Sequence, residues 1–181
     1  IALRRGIDRT VIAVVDELRE RSQQVEGRAD VLRVATVSAN HGASVGEMVA
    51  SLTEEEWNRR PAGVASAAFH VRHMAGVIDR LFTYARGQGL SADQLAAIPL
   101  EGAPLAAGDI TGVLQSLSAG ADAAVDELKT IDVATLGDFR GVGRAQLPST
   151  VIGCLVHGAE HAMRHVGQLS VTVRVVRQAR H

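Results

Sequence analysis

Three of the chain's seven histidines fall at four-residue steps in its last long apolar stretch, His157-Gly-Ala-Glu160-His161-Ala-Met-Arg-His165-Val-Gly-Gln168. Four residues of α-helix turn about 400°, so successive histidines lie roughly 40° round and about 6 Å along from one another. Neighbouring members of the run can then aim their imidazoles at one point, which is how a helix holds a transition metal. The flanks suit a helix. Ser149 or Thr150 offers a cap; Val151, Ile152, Leu155 and Val156 precede the run, and Leu169, Val171, Val173 and Val175 follow it. The plain alternative is a row of solvated or core-edge histidines, the commoner fate of a single pair. Three in register, among only seven, point to a metal.

At 181 residues the chain is expected to form one domain over 1–181. A hydrophobic fraction of 46% is enough for a substantial core, while aromatics at 3% leave the packing to Ala, Val and Leu. Small side chains suit closely approaching helices. The formal net charge is −1 and there is no long basic run, which argues against nucleic acid as a partner. No apolar stretch reaches membrane-spanning length and no signal-peptide pattern is seen, so no membrane association is expected. The single Cys154 excludes an intrachain disulfide framework and fits a reducing, cytoplasmic setting.

Residues 3–25 read as a first helix, with Ile7, Val11, Ile12, Val14, Val15 and Leu18 on one side and Asp16, Glu17, Arg19, Glu20 and Arg21 on the other. A second helical stretch runs from Asp30 to Leu52, weakened in the middle by Asn40-His41-Gly42. Thr53-Glu-Glu-Glu56 is a capping-box signature, followed by Trp57 and stopped by Pro61-Ala-Gly63. Ser66 can cap a helix to Gly87 that carries His70, His73, Arg80 and Tyr84. His73, Arg80 and Tyr84 share a face to within about 20°. A loop with Pro99, Pro104 and several glycines follows, with a helical turn at 92–97. Asp109 caps a further long helix to Ile131. Asp132–Pro148 reads as a loop able to hold an extended segment, and the last helix covers Thr150–Arg177. Four or five long helices with little strand signal make an all-α bundle.

Two imidazoles rarely hold a divalent ion tightly, so the run needs a further ligand. His73 is the best third: it lies mid-helix on an otherwise apolar face. A lone histidine there is more often a core residue bonded to a carbonyl, and the run at 157–165 is what raises it. Two other readings of the run compete. His157-x-x-Glu160-His161 matches an inverted zincin pattern with Glu160 as general base, but no Asp or Glu follows His161 to complete its ligands. A di-iron carboxylate bundle needs Glu-x-x-His, and residue 163 is Met. Glu160 is therefore read as a surface residue or one that supports a ligand from outside.

Ser66 followed by His73-Met, then His161-x-x-x-His165-x-Gly-Gln168 in the last helix, resembles the DinB/YfiT-like superfamily. Leu52-Thr-Glu-Glu-Glu-Trp57-Asn-Arg-Arg-Pro61 resembles that family's first connection. The resemblance covers 31–177 and leaves 1–30 as an N-terminal helical extension. It implies a four-helix bundle of up-down-down-up type, commonly a homodimer, with a divalent metal on His73, His161 and His165. His157 is left as a near neighbour. Zn or Ni comes first for three imidazoles, with Fe or Mn as alternatives. Relatives include S-transferases and isomerases that use low-molecular-weight thiols. A small thiol cofactor is thus implied, and Arg80 and Tyr84 are candidates to orient it. Their plain readings are a salt bridge to a bundle carboxylate and a core-edge ring. Cys154, one turn before His157, reads as a buried structural thiol. Two classes stay open: a metal-dependent transferase or hydrolase, and a metal-binding protein without turnover, serving sensing, storage or partner binding.

Overall fold

The structure is a computed structural model that describes residues 45–179. The expected helix over 3–25, most of the stretch from Asp30, and His41 and His181 lie outside the described residues. Six α-helices are described: α1 (Val45–Val49), α2 (Glu54–Asn58), α3 (Ala67–Ala85), α4 (Ala92–Leu100), α5 (Ile110–Thr130) and α6 (Val151–Gln178). Single 3-10 turns stand at Pro61–Gly63, Ala107–Asp109 and Val133–Thr135, and one antiparallel hairpin pairs β1 (Phe139–Val142) with β2 (Leu147–Thr150). The extended segment expected in 132–148 is this hairpin. The turn expected at 92–97 is a full helix, because Ser91 and Gln94 close a capping box at its start.

The helix starts follow their caps. Thr53 accepts from Glu56 N while the Glu56 carboxylate accepts from Thr53 N, and Trp57 is then buried. The chain stops there at Ala62 and Gly63, both at positive φ (51° and 79°). Ser66 Oγ accepts from Phe69 N to open α3, and Thr150 Oγ1 accepts from Gly153 N to open α6. Asp109 holds the N-cap position of α5, but its side chain makes no capping bond. The 3-10 turn ahead of α5 leaves Asp109 with helical φ and ψ (−93° and −12°), not the extended conformation that lets a cap side chain reach forward.

The directions of the helices follow from their contacts. His70 of α3 meets His165 of α6, whereas Leu81 and Phe82 face Gly158, so these two helices are antiparallel. Arg86 pairs with Glu127 near the far ends of α3 and α5, which therefore run parallel. Arg177 Nη2 donates to the Met48 carbonyl, bringing α1 to the end of α6. The order of α3, α5 and α6 is that of the last three helices of an up-down-down-up bundle.

Parallel neighbours cannot be joined by a tight turn. The 19 residues of α3 rise about 28 Å, and the chain must return that distance before α5 begins. It does so across α3. Gln94 Nε2 donates to Asp79 Oδ2 and Thr83 Oγ1, and Arg72 Nη1 donates to the carbonyls of Leu100 and Ala103. The Asn58 amide both donates to and accepts from the Leu105 backbone. Residue 101 is thereby laid over α3.

The core forms two apolar clusters. One joins Val71 and Met74 of α3 to Val166, Leu169 and Val173 of α6, with Trp57 and Leu105. The other joins Ile78 and Phe82 to Ala124, Leu128, Leu155, Ala159 and Ala162. On α3 the first ends at 74 and the second begins at 78; on α6 the matching break lies between 162 and 166. Among the described residues, no helix is long and apolar enough to cross a membrane.

Candidate metal centre

The histidines sit at the level of that break. His73 comes from α3, and His161 and His165 come from successive turns of α6. His161 Nε2 lies 3.0 Å from His73 Nε2 and 3.1 Å from His165 Nε2, and one ligand atom from each of the three lies within 4.8 Å of the others. Ligands around a tetrahedral ion with bonds of about 2.0–2.1 Å stand about 3.3 Å apart, close to the separations of His161 from His73 and from His165. Protein hydrogen bonding alone satisfies the cluster only in part: one N–H on His161 Nε2 reaches one neighbour, not both. A divalent cation placed among the three could take all three lone pairs at once.

The outer nitrogen of His73 strengthens this fit. Its Nδ1 lies 2.6 Å from Glu101 Oε2, and the other carboxylate oxygen accepts from Arg80 Nη1 at 2.7 Å. A carboxylate only accepts, so His73 donates from Nδ1 and its Nε2 lone pair faces His161. Burial would raise the Glu101 carboxyl, but the hydrogen bonds from His73 and Arg80 outweigh it and hold it below the usual range. Phe69 stacks on the His73 ring, with centroids 5.0 Å apart.

The electrostatics favour the ligand form of the imidazoles. Burial first, and then the neighbouring His73, His157 and Arg164, lower the His161 pKa. Burial, followed by His73, His161, His70 and Arg164, brings His165 down to about 4. His70 is also held at about 4, by burial and then by His73. These rings are neutral at neutral pH, and neutral imidazole is what a metal requires.

His157 is exposed, its ring 5.5 Å from that of His161, and outside the trio. Glu160 is exposed and paired with Arg164. Arg80 reaches the site's edge through Glu101. Tyr84 is partly buried against the cluster around Phe82, eleven residues and about 16 Å of helix beyond His73. Cys154 is buried beside Ser149, and burial raises its thiol pKa. Sequence reasoning missed Glu101. It lies in a Gly- and Pro-rich loop, and only the crossover between parallel helices shows that such a loop must pass over α3.

Comparison with known proteins adds two findings. Two Brassica napus proteins described as RuBisCO large subunit-binding protein subunit alpha, chloroplastic, are each 42% identical to the chain over 55 residues, which is 30% of its length. The chain spans only 10% and 9% of the length of these relatives. The model of the DinB superfamily matches residues 39–169. That span holds α1 to α5, the hairpin, most of α6 and all three clustered histidines, and the chain belongs to the DinB superfamily.

Proposed function

We propose that the protein binds one divalent transition metal through His73, His161 and His165 and uses it in thiol-dependent transfer to a small-molecule substrate. The observation that carries this reading is the convergence of three Nε2 atoms whose leading member, His73, is aimed by a partly buried Arg80–Glu101 pair. Three protein ligands leave part of a coordination sphere free, as catalytic sites do. The His73 side chain is 19% exposed and His161 is only half-buried, so a small molecule can approach from solvent. When bound, a divalent ion supplies Lewis acidity and increases the acidity of a coordinated thiol or water. The chain's own residues hold the geometry. Glu101 fixes the His73 tautomer, and Arg80 neutralises Glu101 and keeps it in place.

The test begins with protein purified without affinity metal. Elemental analysis is expected to give about one equivalent of Zn, Ni, Fe or Mn per chain. His165→Ala should lose it and His157→Ala should retain it, with circular dichroism unchanged in both. Metal kept by His165→Ala and lost by His157→Ala would restore the inverted zincin reading. A screen with low-molecular-weight thiols follows on the loaded protein; binding without turnover would leave the metal-binding reading alone.

A further inference from the structure

His70 is the most deeply buried histidine of the described residues, 3% exposed, and the site as proposed makes no use of it. It lies one turn before His73 on α3 but does not join the trio. Its Nδ1 instead lies 3.0 Å from Nδ1 of His165. Two imidazole nitrogens at that distance share one hydrogen: one ring donates and the other accepts.

The far side of His165 decides which. Its Nε2 is 3.1 Å from His161 Nε2, within the trio. A neutral imidazole has one N–H. If Nε2 keeps its lone pair for an ion, the hydrogen of His165 is on Nδ1, and His70 Nδ1 must be the acceptor. His70 then carries its own hydrogen on Nε2. We propose that His70 is a positioning residue whose Nδ1 accepts from His165 Nδ1 and so fixes the tautomer and ring orientation of that ligand. This rests on the three-histidine metal site proposed above.

The choice of an imidazole has a physical reason. A ligating histidine usually donates its other N–H to a carboxylate, a carbonyl or water. At His73 the acceptor is a carboxylate, and Arg80 balances its charge. His70 stands on α3 against α6, and among the described residues no cation pairs with it. A carboxylate there would be a buried unpaired charge, which is strongly destabilising. An imidazole accepts the same hydrogen bond without bringing a charge. Phe69 packs edge-on against His70, with centroids 5.7 Å apart, and restricts the ring.

Two variants separate acceptor from filler. His70→Asn keeps an acceptor oxygen near the position of Nδ1, and His70→Leu fills the space without one. Zinc affinity is measured by competition with a chromophoric chelator at neutral pH. His70→Leu is expected to bind about 10–100-fold more weakly than the wild type, and His70→Asn to recover most of the loss. Equal affinity in all three proteins, or an Asn variant as weak as the Leu variant, would overturn the proposal. A second readout needs no metal. Long-range nitrogen–proton correlation spectra of the metal-free wild type should show His165 as the Nδ1–H tautomer, reverting to Nε2–H in His70→Leu. An Nε2–H tautomer in the wild type would refute the role of His70 directly, and this spectrum decides if His70→Leu does not fold. Absence of zinc binding in the wild type, beside an Nδ1–H spectrum, would instead sink the metal reading while leaving the hydrogen bond in place.

Discussion

Glycine at position 76 is what makes room for the Glu101 carboxylate on α3. A Cβ built there would fall on Glu101 Oε1 and lie 2.6 Å from Arg80 Nη1. Both atoms end flexible side chains, so Gly76→Ala would displace the ion pair rather than break the helix. Alanine favours an interior helical position by about 1 kcal/mol over glycine. The variant should therefore melt no lower than the wild type, yet bind zinc about 10-fold more weakly as Glu101 leaves His73. Thermal unfolding and chelator competition on one preparation check this, and unchanged affinity would remove Glu101 from the site. The contrast with the histidines shows what a sequence can reveal at this scale. His161 and His165 are related by local helical geometry, so their spacing announces them. Glu101 meets partners 28 and 21 positions away, and nothing in the residues around it records that meeting.

At the scale of elements, the first two turns of α3 carry its share of the site. Ser66 Oγ caps Phe69 N, and the Ser66 carbonyl accepts from His70 N. Phe69, His70 and His73 all follow within two turns. Ser66→Ala leaves one orphan N–H at the helix start and should cost about 1 kcal/mol. In a domain of this size that corresponds to a melting point lower by roughly 2–4 °C. A melting point within one degree of wild type, followed by circular dichroism, would show that packing alone holds this end. The caps at Thr53, Ser66 and Thr150 are readable because each acts within three residues of itself. Asp109 misleads because the chain enters α5 through a 3-10 turn, and that entry is set by the crossover from α3.

For the whole molecule, the bundle's order is less legible than its helices. Caps and apolar stretches mark α3, α5 and α6 in the sequence, but the parallel pairing of α3 and α5 follows from a crossover read in sequence only as a Pro- and Gly-rich loop. That pairing and the antiparallel α6 bury His70 and His165 together, and this burial links fold stability to pH. Both side chains have a pKa of about 4 in the fold, against a reference of 6.5. Below pH 6.5 the unfolded chain takes up two protons that the folded protein refuses until about pH 4. The stability these neutral rings allow is thus complete above pH 6.5 and is lost as the pH falls through this window. Each ring contributes a slope of at most about 1.4 kcal/mol per pH unit, so the pair gives at most about 2.7. The lowered pKa of His161 acts in the same direction. Urea midpoints of metal-free protein should therefore fall steadily between pH 6.5 and about 4.5, and His70→Asn, which has no titrating ring at 70, should show a clearly shallower fall. A midpoint independent of pH in the wild type over this range would mean that these rings are not buried neutral.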